Sequence, residues 1–164
     1  MIQKKMCMIG ALSVGKTSLV SRFVHHAFSE KYLATVGVRI DKKQVLLDGR
    51  EVVLMLWDLA GQEEFEHVRM SYFHGSSGYL LVADGTRPET LEEALRTQQW
   101  LEHEMGPLPF VLVLNKADLT EDWQLSDAIV EEQRAKGWHC LVTSAKTGTG
   151  VEDAFLGLAA QMVS

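Results

Sequence analysis

Short apolar runs alternate with amphipathic stretches along the whole chain. Met6–Ile9, Val52–Trp57, Tyr79–Ala83, Phe110–Leu114 and Cys140–Val142 are nearly all apolar, as expected of strands buried on both faces. VRIDKKQVLL is mixed polar and apolar, and Asp48-Gly49 follows it before the Val52 run. This reads as a hairpin whose polar strand lies at a sheet edge. Helical patterns lie between the runs. Lys16–His25 is the first. Thr90–Met105 carries Leu91, Ala94, Leu95, Leu101 and Met105 at helical spacing, and TRPE (Thr86 to Glu89) predicts a capping-box start. Ser126–Lys136 runs up to Gly137, a natural stop. Val151–Met162 places Val151, Phe155, Leu158 and Met162 on one stripe. The order βαββαβαβαβα predicts an α/β fold: a six-stranded, mostly parallel sheet with one antiparallel strand and helices on both faces. Sheets of this kind bind ligands beyond the carboxyl ends of their strands, so the chemistry is sought there.

Composition narrows the classes. The 164 residues suit one domain, 1–164, and 46% apolar with 23% charged residues is ordinary for a globular protein. A net charge of −6, with both signs interspersed, argues against a nucleic-acid partner, whose affinity comes from clustered Lys and Arg. Cys7 and Cys140 each sit in an apolar run and read as buried free thiols in a reducing setting. No stretch has the ~20 apolar residues that span a bilayer. The N-terminal MIQKKMCMIG leads straight into a glycine loop, without a cleavage site, and AAQMVS lacks a lipidation box. The expectation is a cytoplasmic monomer with no membrane anchor in this chain.

Each predicted strand end carries a motif. After the first comes GALSVGKTS, Gly10 to Ser18, a full match to G-x-x-x-x-G-K-[ST] between a strand and a helix. Main-chain N–H groups of Gly10, Ala11, Leu12, Ser13, Val14 and Gly15 would cradle phosphates at a helix N-terminus. Lys16 would reach the β- and γ-phosphates, and the Thr17 hydroxyl would meet Mg²⁺. After Val52–Trp57 comes DLAGQEEF. Asp58 would be costly at a buried strand end unless a Mg²⁺ shell uses it. Gly61 allows close approach to the γ-phosphate, and Gln62 would orient a water. Alone, this stretch is equally a loop with a helix cap. After Phe110–Leu114 comes NKAD. A carboxylate accepting from both N1–H and the N2 amine fits guanine and not adenine, which makes Asp118 the base reader. Asn115 would tie the loop to the phosphate loop, and the Lys116 stem would cover the base. After Cys140–Val142 comes SAK, Ser144 to Lys146, where the Ala145 N–H would donate to guanine O6. NKAD and SAK are each too short to decide alone.

Together the four strand ends resemble the Ras superfamily of small GTPases over essentially the whole chain, and so imply a P-loop NTPase fold. TVGV (35–38), LWDLAGQEEF (56–65) and SAKTGTGVEDAF (144–155) bring it closest to the Rab-like and Ras-like branches. The resemblance implies GTP/GDP and Mg²⁺ as cofactors. It also implies a molecular switch that hydrolyses GTP and signals to effector, exchange-factor or activator proteins through segments near 28–38 and 60–73. Thr35 matches the threonine that binds Mg²⁺ and γ-phosphate, Phe28 the aromatic against guanine, and Tyr32 the tyrosine that closes over the phosphates. The implied metal set is Thr17, Thr35 and Asp58, and the catalytic set is Gln62, Lys16 and Thr35. No Rho-type insertion lies between NKAD and SAK. The family strand order also keeps Cys7 and Cys140 on non-adjacent strands. Three positions depart from the pattern: Leu12 and Ser13, where small residues are usual, and Leu59, where threonine is usual. Leu12 predicts slow turnover, because a branched side chain there would crowd Gln62, its water and any arginine supplied by a partner. An outward-pointing Leu12 would change little. Two other readings stand beside the switch: a nucleotide-loaded interaction module with little or no hydrolysis, and a P-loop enzyme using ATP, against which NKAD and SAK count. The six histidines form no ligand set; His25, His26, His67 and His74 read as surface. Trp100, Trp123 and Trp138 read as packing, and EHE (102–104) as a solvated helix face.

Overall fold

A computed structural model describes residues 2–29, 38–59 and 70–164. The elements run β1 (Ile2–Gly10), α1 (Lys16–His25), β2 (Val38–Leu47), β3 (Arg50–Leu59), α2 (Met70–Phe73), β4 (Gly78–Asp84), α3 (Pro88–Met105), β5 (Phe110–Asn115), α4 (Asp127–Ala135), β6 (Cys140–Val142) and α5 (Val151–Val163). The sheet order is β2-β3-β1-β4-β5-β6, with β2 antiparallel to β3 and every other pairing parallel. Asp48 (φ 48°) and Gly49 (φ 78°) turn the hairpin; positive φ at both central residues matches the strand twist.

Strand alternation builds two cores. Met6, Met8, Leu80, Val82, Val111 and Val113 point to one face, where α1 and α5 cover them. Cys7, Ile9, Tyr79, Leu81, Leu112 and Leu114 point to the other, under α2, α3 and α4. Both faces are apolar, so the strands read as continuous runs rather than as alternation. On the first face Phe23 of α1 stacks on Phe155 of α5, centroids 4.3 Å apart. On the second, Trp100, Trp123 and Trp138 are half-buried against the core, as expected. Cys7 and Cys140 are buried and free, with β4 and β5 between their strands.

Two local expectations are corrected. TRPE does not form a capping box. The N-cap of α3 is Arg87, with Pro88 at the first helical position and no side-chain cap. Thr86 instead donates its hydroxyl to Asp84 Oδ1 at 2.7 Å, a charge-assisted bond to a buried carboxylate that turns it away from the helix N–H groups. By contrast Ser126 does cap α4, accepting from the Ile129 N–H at 3.2 Å. Strand β1 starts at Ile2, four residues before its apolar run, because Lys4 and Lys5 extend the pairing with Leu54 and Met55. The Lys5 stem spreads over the sheet while its ammonium lies 3.7 Å from the Trp57 ring and reaches the His74 carbonyl.

Among the described residues, no helix is long and apolar enough to cross a membrane, and no cluster of His, Cys, Asp or Glu has the form of a metal site. The described histidines at 25, 26, 74, 103 and 139 are exposed, as are Glu102, His103 and Glu104.

Candidate nucleotide site

The loops after β1, β4, β5 and β6 converge with the end of β3 at one edge of the sheet. The loop after β1 is held from outside, carbonyl by carbonyl. Lys16 Nζ donates to Gly10 O (2.8 Å) and Ala11 O (3.0 Å). Arg87 Nη2 donates to Leu12 O (2.9 Å), Lys116 Nζ to Ser13 O (2.8 Å) and Asn115 Nδ2 to Val14 O (3.0 Å). Gly15 O starts the helix by accepting from Leu19 N. In a planar trans peptide the N–H points opposite to the C=O. Tying down successive carbonyls therefore aims the following N–H groups the other way, as a concave nest for an anion. Ser13 (φ 67°) and Gly15 (φ 103°) supply the left-handed turns this requires. A Cβ on Gly15 would lie 2.3 Å from Asn115 Nδ2, so glycine there also lets the two loops touch.

Lys16 is buried, at 6% exposure. Desolvation pulls its pKa down to about 8, although Asp58 and Glu93 oppose the shift. A buried ammonium that gives its hydrogen bonds to neutral carbonyls beside a helix N-terminus fits a phosphate. Thr17 Oγ1 donates to Asp58 Oδ2 at 2.6 Å, and Asp58 is fully buried at the end of β3. A hydroxyl and a carboxylate side by side are hard oxygen donors that fit Mg²⁺.

The base side is knitted differently. Thr143 Oγ1 donates to Asn115 Oδ1 (3.0 Å), and Ser144 Oγ donates to Asp118 Oδ1 (2.8 Å). Lys116, at a positive φ of 73°, reaches both Ser13 O and Asp84 Oδ2 (2.9 Å).

Sequence reasoning brought Gly10 to Thr17, Asp58, Asn115 to Asp118 and Ser144 to Lys146 to this edge, and the structure places them there. Ser18 lies in the first turn of α1. Phe28 is 37% exposed and Leu12 56%. Tyr32, Thr35, Gly61, Gln62 and His67 lie outside the described residues. Asp84, Arg87, Arg22 and Thr143 were missed. Asp84 is 1% exposed and accepts from Thr86, Arg87 Nε (3.0 Å) and Lys116. Burial pushes its carboxyl up, but those bonds outweigh it and hold the pKa below the usual carboxylate value. The question asked of Asp58, why a charge ends a buried strand, would also have found Asp84.

A family model described as the Ras family matches residues 5–164. Ras-related protein Rab-32 of Homo sapiens is 38% identical, over 92% of this chain and 70% of its own length. Members of this family bind GTP and GDP with Mg²⁺, act as GTPases and are read by regulators and effectors. The hexad of carbonyl bonds around a GKT loop, the Thr17–Asp58 pair and the NKAD and SAK loops beside it all agree with that match: the chain belongs to the Ras family of small GTPases, in its Rab-like part.

Proposed function

We propose that residues 1–164 act as one cytoplasmic, monomeric G domain that binds guanine nucleotide at this edge and hydrolyses GTP slowly. The observation that carries the reading is the row of occupied carbonyls from Gly10 to Val14, which turns the loop's N–H groups toward one cradle. Gly10 to Ser18 would hold the phosphates, with Lys16 supplying positive charge. Asn115, Lys116, Asp118, Ser144, Ala145, Lys146 and Phe28 would hold the base, with Tyr32 closing over the phosphates. Thr17, Thr35 and Asp58 would hold Mg²⁺, which when bound neutralises phosphate charge. Asp58 keeps the Thr17 hydroxyl oriented by accepting its hydrogen bond. Gly61 would approach the γ-phosphate, and Gln62 would position the attacking water. Bound GTP would order the segments near 28–38 and 60–73, and hydrolysis would release them.

Leu12 is the reason to expect slow turnover. Its main chain is pinned by Arg87 while its side chain stays 56% exposed at the loop. Catalysis in this class is positioning and electrostatics, so a branched side chain that crowds the catalytic glutamine and its water would slow it. The same residue favours the second reading, a loaded interaction module that hardly hydrolyses. The test strips the protein of nucleotide, reloads it with GTP or ATP and Mg²⁺, and follows conversion chromatographically for the wild type and Leu12→Gly. The expected result is slow conversion of GTP but not ATP, and faster conversion by Leu12→Gly. Equal rates in the two proteins overturn the crowding idea. Retention of GTP without conversion in either protein selects the module.

A further inference from the structure

Arg22 lies in α1, two helical turns from the phosphate loop, and no motif includes it. Its guanidinium crosses to the loop after β6. Nε donates to Ala145 O at 2.8 Å, and Nη2 donates to Lys146 O. These are two of the three carbonyls of the Ser144–Lys146 segment proposed to face the guanine. The loop's internal bonds use the N–H groups of Ser144, Thr147, Gly148 and Thr149, through Thr149 O, Ser144 Oγ, Ser144 O and Thr147 Oγ1. The Ala145 N–H is left out of that set, although Ala145 is only 3% exposed. A buried donor outside the loop's own ladder is set to face a ligand acceptor.

We propose that Arg22 is a positioning residue for base recognition. By fixing the carbonyls of Ala145 and Lys146, it locks the two peptide planes that follow the Ala145 N–H. With the Ser144 carbonyl held by the Gly148 N–H, the main chain on both sides of Ala145 is pinned, which keeps its N–H aimed at guanine O6 and so slows nucleotide release. The proposal rests on the reading of SAK given above. Two features make arginine suited to the task. Its planar fork spans two successive carbonyls, which a lysine ammonium does not do in a fixed geometry. The bonds are charge-assisted, and therefore stiffer than a neutral pair. The contact also couples α1, whose first residues carry Lys16 and Thr17, to the base loop. Phosphate and base sides are thus joined through one helix.

The test measures release of GDP and of 6-thioguanosine diphosphate from wild type, Arg22→Lys and Arg22→Met, all loaded with Mg²⁺. The thio analogue keeps N1–H and the N2 amine but replaces O6 by sulfur, a weaker acceptor. Wild type should release the analogue faster than GDP. Arg22→Met keeps the apolar stem and removes both donors; it should release GDP about tenfold faster, the effect of losing one neutral hydrogen bond to guanine O6. Its release of the analogue should change little, so that the gap between the two ligands closes. Arg22→Lys should fall between. Equal acceleration of both ligands, or acceleration of neither, overturns the role of Arg22, because damage to the fold does not distinguish oxygen from sulfur. If the wild type itself fails to discriminate the two ligands, the O6 contact of Ala145 is wrong, and the proposal falls with it.

Discussion

In the phosphate loop five successive main-chain carbonyls are held by side chains, and in the base loops side chains also hold one another directly. Five carbonyls from Gly10 to Val14 accept from Lys16, Arg87, Lys116 and Asn115. In the base loops Thr143 meets Asn115 and Ser144 meets Asp118, side chain to side chain. The first arrangement offers the ligand backbone N–H groups and is indifferent to most loop side chains. Leu12 can therefore replace the usual small residue without breaking it, and Ser13 can stand where glycine is common provided it accepts a φ of 67°. The second arrangement offers side-chain atoms, the Asp118 carboxylate above all, beside the one main-chain N–H of Ala145, and so depends on residue identity where the first does not.

The largest effect should come from breaking the base side alone. Asp118→Ala removes the acceptor for N1–H and the N2 amine. A site built to hydrogen-bond its ligand loses on the order of 10³ in affinity when that pairing goes. Isothermal titration of nucleotide-free protein should show GDP weakened to that degree while inorganic pyrophosphate, which meets only the phosphate loop, is unaffected. A parallel loss of pyrophosphate binding would mean the two regions are not separable.

How far the sequence was legible follows the same division. The order of elements, the edge strand Val38–Leu47 and helix Lys16–His25 were visible because apolar period and turn chemistry agree there. GALSVGKTS, NKAD and SAK were visible because each follows an apolar run directly. Arg22 and Arg87 were not, because their partners are carbonyls 123 and 75 residues away, and carbonyls leave no trace in residue identity. The capping box failed for a related reason: the Thr86 hydroxyl is drawn back as a donor to Asp84, away from the N–H groups of the helix N-terminus that it would have to accept from.

A smaller effect should come from the support of the phosphate loop. Asp84→Asn leaves Arg87 and Lys116 without the carboxylate that gathers them. Both cations are about one-third exposed, so solvent screening limits the loss to about 2 kcal/mol. Urea unfolding of nucleotide-free protein at pH 7 measures it. The pH dependence has a definite sign. The folded Asp84 pKa is below its ordinary value of 3.8. Its contribution is therefore complete above that value and is lost as pH falls through the folded pKa. Wild type should lose stability in that acid window, and Asp84→Asn should show a shallower slope there.

The smallest effect tests whether the cradle awaits an anion. Free Lys16 has its pKa lowered to about 8 by desolvation, so at pH 9 it is mostly neutral in the absence of ligand. A phosphate beside it favours the ammonium, and binding must then draw a proton from solution. The sign is fixed by linkage: GDP affinity should fall as pH rises above about 8, by about tenfold per unit at most. Titrating GDP at pH 9 in two buffers of different ionisation enthalpy should reveal uptake approaching one proton, with much less near pH 7. Lys16→Arg keeps a charge that does not titrate in this range, so its uptake at pH 9 should fall to the fraction that the guanine N1–H itself draws, even if its affinity is reduced. Uptake that persists unchanged in Lys16→Arg would assign the proton to another group and leave Lys16 charged throughout, which would mean that the Gly10 and Ala11 carbonyls, and not the ligand, are what its ammonium is there to satisfy.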